Sequence, residues 1–288
     1  MGLMGQAYGW ISALAWKLCL GLNRGFRIVL EPLMRLNPVV ALLAISLFTA
    51  VLMLLIFRAV SDQKAIRRTR DKIKAHLLEI LLFNDNLKMV LRGQGCVVAY
   101  ALKYLAHAVV PMLAILVPVA LIVAQSNHFF ESEPLRPQDA VTVRAKLARW
   151  DTTLAETVSI SVAYGLSVET PALRIPERNE IVWRIRAHRY GDFNIVVNRR
   201  GETFSKRLVV ADTPRCISRA RVRPTLLGAL LHSAERPLDK DSAVGSIEVS
   251  YPAARVRIGP ARLHWLVPFF VFSMLAALLL KPFLKVEI

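Results

Sequence analysis

The sequence has few cysteines and lacks the short motifs that mark common enzyme families. Cys19, Cys96 and Cys216 lie far apart, with no CxxC or Cys/His spacing, which excludes a disulfide framework and a zinc site. No GxSxG, HExxH, Walker or GxGxxG motif is present, and His128 and His232 have no neighbouring ligands at metal spacing. We therefore expect a protein that is not an enzyme, with no catalytic residue, no metal and no cofactor.

Acidic residues are also scarce. The 288 residues include 38 Lys+Arg but only 21 Asp+Glu, a formal net charge of +17. Such a basic soluble protein would suggest a nucleic-acid partner, but the mean hydropathy of +0.42 favours a membrane protein, and we expect no DNA partner. The apolar runs contain no Asp, Glu, Lys or Arg, whereas a transport site inside a membrane normally needs one. The sequence therefore does not predict a transporter.

Three long apolar runs are present: Val39 to Phe57, Tyr104 to Gln125 and Leu263 to Leu280. A helix of about 20 residues, at roughly 1.5 Å per residue, crosses a hydrocarbon core of about 30 Å. Asn37-Pro38 before the first run is a typical helix start. The sequence predicts transmembrane helices at 37–58, 104–125 and 263–281.

The segment 1–36 is amphipathic. Ile11, Leu14, Leu18 and Leu22 recur at helical spacing, and Lys17 interrupts the run. We expect this segment to lie in the headgroup plane of the membrane. A fourth, short span over 9–22 is the alternative.

The segment 59–103 is basic and has helical periodicity. Ile66, Ile73, Leu77 and Ile80 recur at steps of seven, four and three, as in the packing of two helices, and Asn84 to Asn86 predicts the turn. We expect an antiparallel helical hairpin that makes contacts through its basic residues, Arg67, Arg68, Arg70, Lys72 and Lys74. Anionic lipid, ribosomal RNA and nascent chains are all alternatives for the surface contacted.

The segment 126–262 alternates apolar and polar residues over short stretches. Turn signals such as Gly191-Asp192 and Arg200-Gly201 separate the stretches, which predicts an immunoglobulin-like β-sandwich. A helix is expected at Thr225 to Ser233. The predicted strands are Ala140–Arg144, Val158–Val162, Ile181–Arg186, Phe193–Val197, Phe204–Val210, Ser246–Val249 and Ala254–Ile258. The fold class expected is therefore α+β, with three transmembrane helices, a helical hairpin and a β-sandwich.

The orientation is predicted from the basic residues of the short loops. The hairpin loop holds ten Lys and Arg, and Lys281 and Lys285 lie at the C-terminus, whereas the N-terminal segment holds four. By the positive-inside rule, the hairpin and the tail 282–288 face the cytoplasm. The N-terminus and the predicted sandwich 126–262, which we call the β-domain, then face away from the cytoplasm. In the inner membrane of a Gram-negative cell they would face the periplasm.

This order of segments resembles the YidC/Oxa superfamily of membrane-protein insertases. The likeness rests on Asp62-Gln63-Lys64, on Arg67 to Leu82 and on Val109 to Leu113 before the second span. The layout is closest to the three-span archaeal and eukaryotic-reticulum branch, with a β-domain added between the second and third spans. The resemblance implies a role in inserting, folding or assembling membrane proteins. The implied partners are membrane lipids, nascent or assembling membrane proteins, the ribosome and a periplasmic protein.

The family places an arginine in a hydrophilic membrane groove, whereas the spans here carry only uncharged polar residues. Ser46 and Thr49 share a helix face, where they line a client groove or bond to the carbonyl one turn back. The candidate groove residues are Ser46, Thr49, His107, Gln125 and Ser273. Absence of charge in the spans favours an alternative function, a scaffold or anchor subunit of an envelope complex whose β-domain docks a partner.

Overall fold

The structure is a computed structural model that describes residues 3–61, 63–82 and 87–284. The turn predicted at Asn84 to Asn86 and the end of the tail lie outside these residues. Asn37 caps α2, because its Oδ1 accepts the Val39 backbone N–H at 2.8 Å, and Pro38 is the first helical residue. The helices are α1 Leu3–Leu36, α2 Pro38–Val60, α3 Gln63–Leu82, α4 Leu87–Phe130, α5 Thr152–Glu156, α6 Leu226–Leu231 and α7 Leu266–Leu284.

Three described helices are long and apolar enough to cross a membrane: α2, the Val90–Phe130 part of α4, and α7. This agrees with the expectation of a multi-pass membrane protein. The sequence predicts a boundary between the hairpin and the second span at residues 103 and 104. The α4 helix runs through this boundary without a break. The hairpin arm and the span are therefore one continuous helix.

The strands carry the alternating burial that the sequence predicted. β1, for example, alternates buried inward residues such as Val143 with exposed outward residues such as Arg144. The predicted stretches correspond to β1, β2, β5, β6, β7, β9 and β10, and β3, β4, β8 and β11 are additional. The strands are β1 Ala140–Leu147, β2 Ser159–Val162, β3 Leu166–Val168, β4 Leu173–Ile175, β5 Glu180–Ala187, β6 Gly191–Arg199, β7 Glu202–Val210, β8 Ala220–Val222, β9 Val244–Val249, β10 Val256–Ile258 and β11 Ala261–Leu263.

All of the strand pairs within the sheets are antiparallel. One sheet has the order β3-β5-β1-β9-β8, with β4 also paired to β5; a second has the order β2-β6-β7; β10 and β11 form a short ribbon. The β6–β7 hairpin closes through Arg200 and Gly201, whose φ angles of 42° and 86° suit a two-residue turn. The predicted α+β class with antiparallel sheets is confirmed.

The two sheets share one hydrophobic core. Trp183 and Ile185 of β5 and Ile247 of β9 contribute from the first sheet, and Ile195 and Leu208 contribute from the second. Ile185, Ile195, Leu208 and Ile247 are fully buried. This core holds the two sheets together as one β-domain.

The described chain divides into two compact units. The β-unit comprises the residues up to Leu42 together with Val123–Val267, and the helical unit comprises Leu43–Ile122 with the residues from Pro268 onward. Within the β-unit, α1 packs against α6.

Candidate functional site

Three of the predicted groove residues lie in the helical unit, where their hydroxyls bond to helix backbone. Ser46 Oγ of α2 donates to Phe269 O of α7 at 3.3 Å, and Ser273 Oγ donates to the same carbonyl at 2.7 Å. Thr49 Oγ1 donates to Ile45 O, one turn back, at 2.7 Å. All three side chains are buried. Ser46 and Ser273 therefore meet at one carbonyl of α7 and tie α2 to α7.

The fourth groove candidate, Gln125, is buried in the β-unit near the end of α4. Asn23 Nδ2 of α1 donates to Gln125 Oε1 at 3.2 Å, and Gln125 Nε2 donates to Ser233 Oγ at 3.0 Å. Cys216 Sγ lies 3.8 Å from Asn23 Oδ1, and burial raises the pKa of this thiol to about 12. These contacts join α1, α4 and the loop after α6. The fifth candidate, His107, has a side chain outside the described residues.

The sequence did not single out Asn23 or Ser233. Asn23 is 102 residues from Gln125 along the chain, and Ser233 is 108 residues away. One signal was present, because a lone Asn on the apolar side of an amphipathic helix needs a partner when it is buried. The partner itself could not be read from the sequence.

Glu131, directly after α4, holds the end of that helix to the residues before α7. Its Oε2 accepts a hydrogen bond from Trp265 Nε1 at 3.1 Å and lies 3.1 Å from His264 Nε2. Arg219 Nη1 lies 3.4 Å from Oε1, and the Trp265 ring stacks on Phe130 with 5.8 Å between centroids. We call these contacts the Glu131 clamp. They hold the residue after α4 to His264 and Trp265, which directly precede α7.

Lys206 is fully buried in the β-domain and is another residue that the sequence did not single out. Its Nζ donates to Ser218 O at 2.7 Å, to Glu235 Oε2 at 2.8 Å and to Arg207 O at 3.2 Å. These acceptors satisfy all three N–H groups of an ammonium. Glu235 Oε1 also accepts the Arg207 backbone N–H at 3.0 Å. A signal was present, since alternation in β7 places Lys206 on the same inward face as Phe204 and Leu208.

His128 and His232, which have no neighbouring ligands at metal spacing in the sequence, line one cavity of about 310 Å³ in the β-unit. His128 comes from the end of α4 and His232 follows α6, and Arg144 and Glu248 from β1 and β9 lie in the same wall. His128 Nε2 has no hydrogen-bond partner among the described residues, and burial lowers the pKa of His232. Among the described residues, no group of three His, Cys, Asp or Glu side chains could hold a metal.

In the helical unit, α3 and the first part of α4 form an antiparallel pair. The His76 ring of α3 stacks on Tyr100 of α4 with 5.6 Å between centroids, and Lys72 Nζ lies 5.1 Å from the Tyr100 centroid. Nearer the predicted turn, a Cβ added at Gly93 would lie 2.7 Å from Ile80 Cγ1. A side chain at position 93 would therefore force Ile80 to move, so glycine allows the close approach of the two helices here.

The predicted basic residues lie along this α3–α4 hairpin. Arg67, Arg68, Lys72 and Lys74 are exposed, and Arg70 is half-buried. Arg67 and Arg70 make further contacts within the molecule. The α3 helix of the hairpin therefore carries a row of exposed basic residues, whose role in contacts stays a prediction.

The apolar residues of α4 beyond the hairpin are largely uncovered. Only 12% of the apolar stretch of α4 is buried, against 39% for α2 and 17% for α7. Met112 is 72% exposed, and Leu113, Leu116 and Val117 are also exposed. In water this surface would be a strong association site, and in a bilayer it is a surface for lipid or for another membrane helix.

The α1 helix of the β-unit has a buried face and an exposed apolar face. The buried face holds Ser12, Trp16, Cys19, Asn23, Leu30 and Met34. The exposed apolar residues, at spacings of three, four and seven, are Ile11, Leu14, Leu18, Leu22, Val29 and Leu36. Such an arrangement suits a helix that lies in the headgroup plane and is also attached to a folded domain.

Comparisons with protein-family models, with curated proteins and with solved structures give no match.

Proposed function

We propose that this chain is a multi-pass inner-membrane protein that assists the insertion, folding or assembly of other membrane proteins. The observation that carries the proposal is the α3–α4 hairpin, which follows α2 and continues directly into the poorly covered apolar part of α4. The basic residues of the hairpin would contact anionic lipid, ribosomal RNA or the nascent chain, and so place the client beside α4. The uncovered α4 surface would then accept the apolar segment of that client.

The continuity of α4 supports a route from the hairpin into the membrane. The same helix carries Lys103 near the hairpin and Met112 on its uncovered apolar surface. A client bound at the hairpin would therefore meet an apolar helix surface without crossing a loop. In this proposal the hairpin and the C-terminal tail are cytoplasmic, and the β-domain is an extracytoplasmic, immunoglobulin-like sandwich that holds the translocated part of the client.

One observation favours the alternative, a scaffold subunit whose β-domain docks an envelope partner. The hydroxyls of Ser46, Thr49 and Ser273 already donate to backbone carbonyls, so they supply helix packing without needing a hydrated groove. In the scaffold function the spans only anchor the β-domain. The two functions differ in what the uncovered surface of α4 contacts in the cell.

Photocrosslinking in cells separates the two functions. A photoreactive residue at Met112 or Lys72 should give many adducts that disappear when translation is blocked, because nascent chains are a mixed population. A matched probe at Tyr164, an 86% exposed residue of the β-domain, controls for exposure. A single adduct at Met112 that persists without translation would contradict the insertion role and support the scaffold.

The hairpin charge is tested by changing Arg67, Arg68, Arg70, Lys72 and Lys74 together to Gln. We expect a several-fold loss of the translation-dependent adducts at Met112, because the positive surface attracts anionic partners over about 8 Å at physiological salt. The control exchanges Lys and Arg at the same five positions and keeps the charge. Accessibility of a cysteine placed at Tyr164 reports whether either variant has changed its orientation. Unchanged adducts in a correctly oriented Gln variant would show that the hairpin charge has no part in client capture.

A further inference from the structure

A cavity of about 340 Å³ lies in the β-unit at the ends of two candidate spans. Asn37 and Pro38, at the start of α2, form one part of its wall, and Phe129 and Phe130, at the end of α4, form another. If α2 and α4 cross a membrane as proposed above, this cavity lies where hydrocarbon gives way to headgroups. Its position alone selects ligands that are present at that depth.

The polar part of the cavity wall is rich in arginine. Arg136, Arg255 and Arg257 line it, and all three are exposed; we call this cavity the arginine pocket. Among the described residues, none of the three guanidinium groups is within 4.0 Å of a carboxylate. Arg184 and Arg186 of β5, by contrast, both pair with Glu169. The pocket therefore holds positive charge that the fold does not neutralise by ion pairing.

Two carboxylates, Glu133 and Asp212, also line the pocket, and both are exposed. They reduce the local positive charge without forming an ion pair with the arginines. Three guanidinium groups against two carboxylates leave one net positive charge. This composition favours a ligand with one negative charge over a polyanion.

Ser132 supplies a second and independent sign of a ligand. It lines the arginine pocket and is only 5% exposed, yet its Oγ has no hydrogen-bond partner among the described residues. A buried hydroxyl without a partner costs free energy that an acceptor in the cavity would recover. An oxyanion fits this requirement, because it accepts from a hydroxyl and from guanidinium groups together.

The remaining wall is apolar. Met34, Phe129, Phe130 and Val256 line the cavity, and each is at most 6% exposed. An inorganic anion would gain nothing from these side chains, whereas an amphiphile would bury part of its glycerol and upper acyl chain against them. The pocket thus joins oxyanion recognition to an apolar wall at the end of two spans.

We propose that the arginine pocket binds the phosphate group of a membrane phospholipid. Arg136, Arg255 and Arg257 contact the phosphate oxygens, Ser132 donates to one of them, and the apolar wall holds the glycerol region. The positive end of the α2 dipole adds to the attraction. This inference rests on the membrane topology proposed above but not on the insertion role, so either can fail without the other.

Native mass spectrometry of the full chain in neutral detergent tests the proposal. The probes are phosphatidylglycerol, a diacylglycerol with the same acyl chains but no phosphate, and inorganic phosphate. The variant R255Q/R257Q removes two of the pocket charges, and R149Q/R178Q removes two exposed arginines elsewhere in the β-domain as a matched control. D212N is a third variant that removes a competing negative charge from the pocket.

We expect the wild type to retain one phosphatidylglycerol and to ignore diacylglycerol. R255Q/R257Q should weaken retention by about tenfold, the control should leave it unchanged, and D212N should strengthen it by several-fold. A gain in D212N cannot come from misfolding. Equal retention in all variants would overturn the pocket assignment, and displacement of the lipid by millimolar inorganic phosphate, or binding of inorganic phosphate alone, would overturn the lipid as its occupant.

Discussion

The β-domain and the helical unit differ in how far they bury the same types of apolar residue. Ile185 and Ile247 of the β-domain are fully buried, whereas Met112 and Leu113 of α4 are 72% and 60% exposed. A domain in water gains stability only by burying such side chains, but a helix in hydrocarbon loses nothing by leaving them uncovered. The difference in burial is the one expected if α4 lies in a membrane, as proposed, and the β-domain lies in water.

The two regions agree, however, in how they treat buried polar groups. In the β-domain the buried ammonium of Lys206 has three acceptors. In the helical unit the buried hydroxyls of Ser46, Thr49 and Ser273 each donate to a carbonyl. Leaving a polar group without a partner is costly in a protein core and in hydrocarbon alike. These buried polar groups are thus hydrogen-bonded in both regions, whereas the extent to which apolar side chains are buried differs between them.

The largest effect is expected from E235A in the β-domain. Removing the carboxylate leaves the Lys206 charge buried with backbone acceptors only, which should lower the free energy of unfolding by roughly 3–5 kcal/mol. Denaturant unfolding of the full chain in detergent, followed by tryptophan fluorescence, measures this loss. E202A, at an exposed glutamate on the strand that carries Lys206, is the control and should change stability by less than about 0.5 kcal/mol. K206M/E235L should recover most of the loss; if it does not, the buried charge is not the cause.

Truncating one apolar side chain in each unit tests whether the β-domain and the α4 surface lie in different solvents. I185A should destabilise the β-domain by roughly 2–4 kcal/mol, because it leaves a cavity in a closed core. M112A, on the uncovered surface of α4, should change the stability of the detergent-solubilised chain by less than about 0.5 kcal/mol. Unfolding curves recorded for both variants under one condition make the test. A loss of several kcal/mol in M112A would mean that this surface is packed against protein.

The smallest effect concerns the two glycines of the hairpin. G95A should stabilise α4 by roughly 0.5–1 kcal/mol, because nothing lies within 4 Å of the added Cβ and alanine is the better helix former. G93A should lose this gain, because its Cβ would meet Ile80. Hydrogen exchange of the hairpin amides compares the two variants. Equal protection in both would contradict the close packing of α3 and α4.

The sequence predicted those strands in which apolar and polar residues alternate over enough positions to form a clear pattern. The strands β5, β6 and β7 are eight or nine residues long, and alternation identified each of them. The strands β3, β4, β8 and β11 have three residues each, too few for a period of two to stand out. Their pairing is decided by their neighbours in the sheet.

The candidate site was less predictable, because its contacts join residues far apart in the sequence. The polarity of Gln125 was evident, but its partners Asn23 and Ser233 lie more than a hundred residues away. The meeting of Ser46 and Ser273 at the Phe269 carbonyl is a packing result of the same kind. The Ser132 hydroxyl, which is buried without a partner among the described residues, could be found only once the fold had buried it.

The Glu131 clamp has a consequence for the order in which the protein is made. Its carboxylate belongs to the end of α4, whereas His264 and Trp265 are synthesised 133 and 134 residues later. Translation must therefore pass the whole β-domain before the clamp can close. Until then the end of α4 lacks these two partners, and the β-domain lacks one of its attachments. Completion of this fold is thus tied to synthesis of His264 and Trp265, so a ribosome stalled before residue 264 leaves the clamp open.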